Sequence, residues 1–113
     1  MPFINAKVAK TMSSQEKESL KGALGVAISI LGKSEAWLMV NIEDGCDLYF
    51  AGKKMDDCAY FDIKVYGKLD EKACAKMTKQ ICEIAEMELK VPAGAVYITY
   101  QGIDNWGWNN SNF

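Results

Sequence analysis

Phe3-Ile4-Asn5-Ala6-Lys7-Val8-Ala9 alternates apolar with polar side chains, and Ser13-Ser14-Gln15-Glu16 follows it after three residues. The first run has the period of two that places alternate residues on opposite faces of a strand. In the second, Ser13 precedes Glu16 by three positions, the spacing of a capping box at a helix start. Leu20, Leu24, Ile28 and Leu31 then recur at helical spacing, and Gly32 supplies a C-terminal stop. A second strand is expected from Trp37 to Glu43, closed by the turn pair Asp44-Gly45. The first 45 or so residues thus read as strand, helix, strand.

The same plan returns in the second half. Cys58 to Tyr66 alternates, with Ala59, Phe61, Ile63 and Val65 on one face, and Gly67 ends it. Asp70 is placed to cap a helix carrying Ala73, Met77, Ile81, Ile84 and Leu89. Val91-Pro92-Ala93-Gly94 leads into a strand at Ala95 to Gln101, and a short hairpin strand is expected near Asp47 to Phe50. Lys33 to Ile42 and Lys90 to Thr99 hold equivalent places in the two halves. Two βαβ units predict an α+β fold of the split-βαβ, ferredoxin-like kind: one four-stranded sheet with both helices on a single face. The 113 residues suit one domain, residues 1–113.

Ile4, Val8, Leu38, Val40, Phe61, Ile63, Val96 and Ile98 are the expected core. The other face would show Phe3, Trp37, Met39, Tyr60, Tyr66 and Tyr97 among Asn5, Asp62, Lys64 and Thr99. That face is too aromatic to stand bare in water. A second copy of the same chain, in closed cyclic symmetry, would cover part of it.

The net charge of −2 argues against a nucleic-acid partner, since the lysines are interleaved with Asp and Glu rather than gathered in a basic stripe. The one adjacent pair, Lys53-Lys54, reads as a solvated turn. No apolar run is long enough for a membrane span, and no basic leader precedes an apolar segment, so neither a membrane nor a signal peptide is expected. Cys46, Cys58, Cys74 and Cys82 form no C-x-x-C, and there is no histidine to complete a zinc site. They read as reduced thiols of a cytoplasmic protein, with no metal and no cofactor.

The absence of histidine narrows any acid–base chemistry to carboxylate, lysine, thiolate, tyrosine or the N-terminal amine. Pro2 follows Met1, and removal of Met1 would leave a secondary amine held at the head of a strand. An ordinary α-amino group has a pKa of about 8, which an apolar pocket and a nearby cation both lower. Lys33, just past Gly32, is a candidate for that cation and for binding a substrate carboxylate. Asn105-Trp106-Gly107-Trp108-Asn109-Asn110-Ser111-Asn112-Phe113 is too aromatic for a frayed terminus. Trp108 and Phe113 could wall a pocket, seal a subunit interface, or do both.

Met1-Pro2 opening into a strand, Leu31-Gly32-Lys33, Val96-Tyr97-Ile98, and Gly107-Trp108-Asn109-Asn110-Ser111 before Phe113 stand together in one order. In this the chain resembles the macrophage migration inhibitory factor family of the tautomerase superfamily over its whole length. The resemblance implies a homotrimer with active sites at subunit boundaries. It implies keto–enol tautomerisation of phenylpyruvate-type 2-oxo acids and isomerisation of dopachrome-like compounds. Pro2 would be the catalytic base. Lys33 would meet the substrate carboxylate and enol oxygen, and Tyr97 would come from the neighbouring subunit. Trp108 and Phe113 would form the rim, and Trp37 a further aromatic wall. Tyr66 stands where family members carry isoleucine, whose backbone amide binds substrate. Thr99 replaces an asparagine of the vertebrate member. Cys58 matches the first cysteine of that member's C-x-x-C, but Phe61 replaces the second, so no C-x-x-C oxidoreductase activity is expected. The alternative function implied is a cytokine-like, host-modulating signal secreted without a signal peptide and recognised by a cell-surface receptor.

Overall fold

The alternating strand at the N-terminus forms β1, Pro2–Val8, in which every second residue from Pro2 onward is buried. The computed structural model describes residues 1–113. α1, Ser14–Ala27, begins with the expected capping box: Ser13 Oγ accepts from the Glu16 N–H, and Glu16 Oε1 accepts from the Ser13 N–H. A 3-10 turn, Ile28–Leu31, continues the helix, and Gly32 ends it at φ 73, a left-handed conformation that glycine adopts without Cβ strain.

β2, Met39–Glu43, starts two residues later than the sequence pattern suggests. Glu35–Trp37 is a 3-10 turn instead. Ser34 accounts for the difference, because its hydroxyl accepts from the Ala36 N–H at 3.1 Å and its carbonyl from the Trp37 N–H at 3.2 Å. These local bonds take the place of strand pairing. β3, Tyr49–Phe50, and β4, Lys53–Lys54, form a hairpin around Ala51 and Gly52, both at positive φ. Lys53 and Lys54 are thus exposed strand residues rather than the turn itself.

β5, Ala59–Tyr66, alternates buried and half-buried residues along its length. α2, Glu71–Ile84, is capped by the Asp70 carboxylate, which accepts from the Ala73 N–H at 3.0 Å. A π-helical turn, Ala85–Leu89, extends it to Leu89. β6, Val96–Ile103, completes the second unit, and β7, Gly107–Trp108, pairs with β8, Ser111–Asn112, in a terminal hairpin.

The main sheet runs β2-β1-β5-β6, with β1–β2 and β5–β6 parallel and β1–β5 antiparallel. Each βαβ unit therefore pairs its own two strands directly, where a split arrangement would place a strand between them. A single apolar cluster joins β1 and β5 to Leu20, Leu24, Met77 and Ile81 of the two helices. Ile4, Val8, Phe61, Ile63 and Val96 are buried as expected, and each large side chain fully removed from water contributes about 1.5–3 kcal/mol. Leu38, Val40 and Ile98 are only half-buried against this cluster, because they lie on or beside the edge strands β2 and β6.

On the opposite face, Asn41 donates to Asn5 Oδ1 at 3.0 Å, the Tyr60 and Thr99 hydroxyls lie 2.5 Å apart, and Lys64 pairs with Asp62 at 2.6 Å. Met39, Tyr49 and Tyr97 are well exposed there and on the hairpin. No helix is long and apolar enough to cross a membrane. The four cysteines are unpaired.

Candidate active site

Pro2 is the first paired residue of β1, set opposite Val65 of β5. Its ring is buried, and with Met1 attached its nitrogen is an amide without basicity. The free amine belongs to Met1. Partial burial, then the charge of Lys33, hold that amine below the ordinary α-amino range.

Met1 is anchored by its carbonyl, which accepts from the Tyr66 N–H at 2.9 Å. The Tyr66 carbonyl accepts from Lys33 Nζ at 3.1 Å. Gly32 permits the reversal that brings Lys33 from the end of the first helix back over the end of β5. The amine, the Lys33 ammonium and the Tyr66 backbone thus converge at one end of the sheet.

A cavity of about 630 Å³ opens beside them. Pro2 and Phe3 line it from β1, Lys64 from β5, and Trp37, Leu38 and Met39 from the turn into β2. Trp106 and Trp108 line it from the tail. The Trp37 and Trp108 rings meet edge to face at 5.0 Å, a favoured aromatic geometry. Phe113 lies 5.4 Å from the Tyr66 ring and 6.5 Å from that of Trp108, and its N–H donates to the Trp106 carbonyl at 3.0 Å. The carboxyl-terminal aromatics are therefore folded against the head of β1.

Of the residues singled out from sequence, Pro2, Trp37 and Trp108 line one cavity. Lys33, Tyr66 and Phe113 cluster beside the N-terminus. Tyr97 is elsewhere in the protomer. Its ring packs tilted against that of Phe50, 5.3 Å between centroids, and it lines a smaller apolar hollow of about 240 Å³ with Leu48, Cys58 and Tyr60. Thr99 is engaged with Tyr60. Lys64 and Trp106 were not read as site residues. For Trp106, the clue was its place in the aromatic tail. Lys64 gave only strand parity with Tyr66, which does not distinguish a cavity wall from an open sheet face.

Fold and site together define a domain of two βαβ units with an aromatic cavity at the head of the first strand. A fused 4-OT wild-type asymmetric trimer shares the fold at 13% identity, with a TM-score of 0.85 over 96% of this chain and 94% of that one. The family model of macrophage migration inhibitory factor matches residues 1–113, and the chain belongs to that family. Macrophage migration inhibitory factor of Xenopus laevis is 32% identical over 84 residues, 73% of this chain and 72% of that protein. The crystal structure of Leishmania major MIF2 superposes with a TM-score of 0.92 at 28% identity, covering 100% of this chain and 97% of that one. Membership and fold support a tautomerase-type or MIF-like function.

Proposed function

We propose that the chain is a keto–enol tautomerase for phenylpyruvate-type 2-oxo acids and dopachrome-like compounds, working through Pro2 once Met1 is removed. The observation that carries this reading is the lowered basicity of the terminal amine, caused by burial and by Lys33, at the mouth of an aromatic cavity. In the shortened chain Pro2 supplies that terminal nitrogen, and the same two influences favour its neutral form. The neutral amine accepts a proton from C3 of the keto acid. The C–H electron pair becomes the C2–C3 double bond, and the carbonyl π pair moves to oxygen, which takes the abstracted proton back from Pro2 to give the enol and the neutral amine. Lys33 stabilises the charge developing on that oxygen and the neighbouring carboxylate. The Tyr66 N–H, freed of the Met1 carbonyl, becomes a donor to the substrate. Trp37, Trp108 and Phe113 hold the aromatic ring.

Tyr97 takes part from a neighbouring protomer in a homotrimer. Its place outside the Pro2 cavity within one chain and its exposure support that assignment. The four unpaired thiols support a cytoplasmic location. The signalling reading rests on family membership, with the aromatic rim as a receptor-binding surface.

The test is Pro2→Gly in protein whose Met1 has been removed, confirmed by intact mass. Phenylpyruvate enolisation should fall at least 100-fold, the scale of general-base catalysis, with the oligomer preserved. Unchanged turnover would remove Pro2 from the mechanism. Receptor binding by the same variant separates the signalling reading, which requires binding to persist without turnover.

A further inference from the structure

Lys64 is the one charged side chain lining the cavity beside Pro2. It stands opposite Phe3 in the β1–β5 register and adjoins Val65, the partner of Pro2. Lys64 and Tyr66 are two positions apart on β5 and share a face, separated by about 7 Å along the strand. Lys33 is held at the Tyr66 end by its bond to that residue's carbonyl. Two ammonium groups therefore flank the Pro2 position, one on each side along β5. Lys64 Nζ pairs with Asp62 Oδ2 at 2.6 Å. Asp62 lies a further two residues along the same face and does not line the cavity. The ion pair uses one of three ammonium donors and fixes the side chain at the cavity wall.

We propose that Lys64 is a second anion-binding residue, and that the cavity selects 2-oxo acids carrying a further anionic group at the end remote from the reacting carbon. The inference rests on the tautomerase reading for its substrate class. The carboxylate beside the keto group occupies the Lys33 and Tyr66 end. The substituent on C3 then runs along the cavity past Trp37 and Trp106 toward Lys64. A neutral aromatic tail leaves that ammonium facing only Asp62 and water. A second carboxylate meets its remaining donors in a partly desolvated site, where charge-assisted hydrogen bonds are roughly twice as strong as neutral ones.

The experiment uses the protein freed of Met1, with Lys64→Gln and Lys64→Arg, each checked by thermal unfolding. Calorimetry compares benzene-1,4-diacetate with phenylacetate, two non-reacting probes that differ by one carboxylate. Kinetics compare a ring-carboxylated phenylpyruvate with phenylpyruvate. The parent should prefer the dianion in both assays. Lys64→Gln should lower the dianion-to-monoanion ratio about 10-fold, mainly through KM, and Lys64→Arg should restore most of it. A ratio that Lys64→Gln leaves unchanged overturns the proposal. If the parent turns over neither keto acid, the tautomerase reading fails, while the calorimetric ratio still decides whether Lys64 binds the second anion.

Discussion

The backbone amide of Tyr66 donates to the carbonyl of Met1 at 2.9 Å. That bond places a peptide oxygen where the resemblance to the family puts a substrate oxygen. Met1 therefore does two things to the site. It converts the Pro2 nitrogen into an amide, and it occupies a donor that the proposed reaction assigns to substrate.

The first prediction separates these two effects. A chain extended by one residue before Pro2 should bind a competitive 2-oxo acid analogue at least 10-fold more weakly than the chain beginning at Pro2. Pro2→Gly in the shortened chain should retain most of that affinity, because its Tyr66 amide is free. Titration calorimetry on the three proteins reads the difference, and equal affinity in the extended chain would show that Met1 blocks chemistry alone.

Lys33 is expected to tune the base as well as bind the acid. Burial is the larger cause of the lowered amine pKa, and the positive charge of Lys33 lowers it further by disfavouring a second cation nearby. Lys33→Met should raise it, and the acid limb of kcat/KM should move to higher pH, toward the ordinary value of about 8. Below that limb the base is protonated, so the loss of activity should be larger at pH 6 than at pH 8. KM should also rise as the carboxylate loses its partner. A pH profile displaced in neither direction would confine Lys33 to binding.

Tyr97 and Pro2 line different hollows of one protomer. If Tyr97 completes a neighbour's site, mixed oligomers of Pro2→Gly and Tyr97→Ala should recover activity that neither variant has alone. Some boundaries then combine an intact Pro2 from one chain with an intact Tyr97 from the other. Dissociation, mixing and reassembly followed by a phenylpyruvate assay reads the recovery, and activity that merely averages the two parents would place Tyr97 outside the site.

The capping box at Ser13 bears on stability. Ser13 Oγ accepts from the Glu16 N–H at 3.1 Å, satisfying one of the unpaired donors of the first turn. Ser13→Ala should cost about 1 kcal/mol, read as a lower urea midpoint at unchanged m-value. Enolisation should be unaffected under native conditions, since Ser13 follows the Val8 end of β1 while the cavity opens at its Pro2 end.

Legibility from sequence followed the range of the forces involved. The capping box, the Asp70 cap and the Gly32 stop depend on neighbours three or four residues away, and all three stand as read. The start of β2 did not, because Ser34 draws Glu35–Trp37 into a turn whose bonds compete with an edge strand. The direct pairing of β1 with β2 was also missed, since periodicity carries no information on strand order. In the site, the tail with Trp108 was legible as too aromatic for a frayed terminus, Pro2 as one of the few bases available, and Trp37 only through the family resemblance. Lys64 was not, because an alternating strand presents the same pattern whether its outer face meets water or a cavity.

Pro2, Lys33 and the aromatic tail were therefore marked out by the sequence alone, through the chemistry the chain lacks and the motifs it has. The tertiary structure decided their arrangement. It bonded Tyr66 to Met1 on one side and to Lys33 on the other, folded the tail back over the head of β1, brought Lys64 into the cavity wall, and set Tyr97 apart. The physical reason is that local preferences act over a single turn or strand. Convergence of residues 2, 33, 66 and 108 depends on strand order and on which edge each chain reversal reaches, and only packing of the whole sheet fixes those.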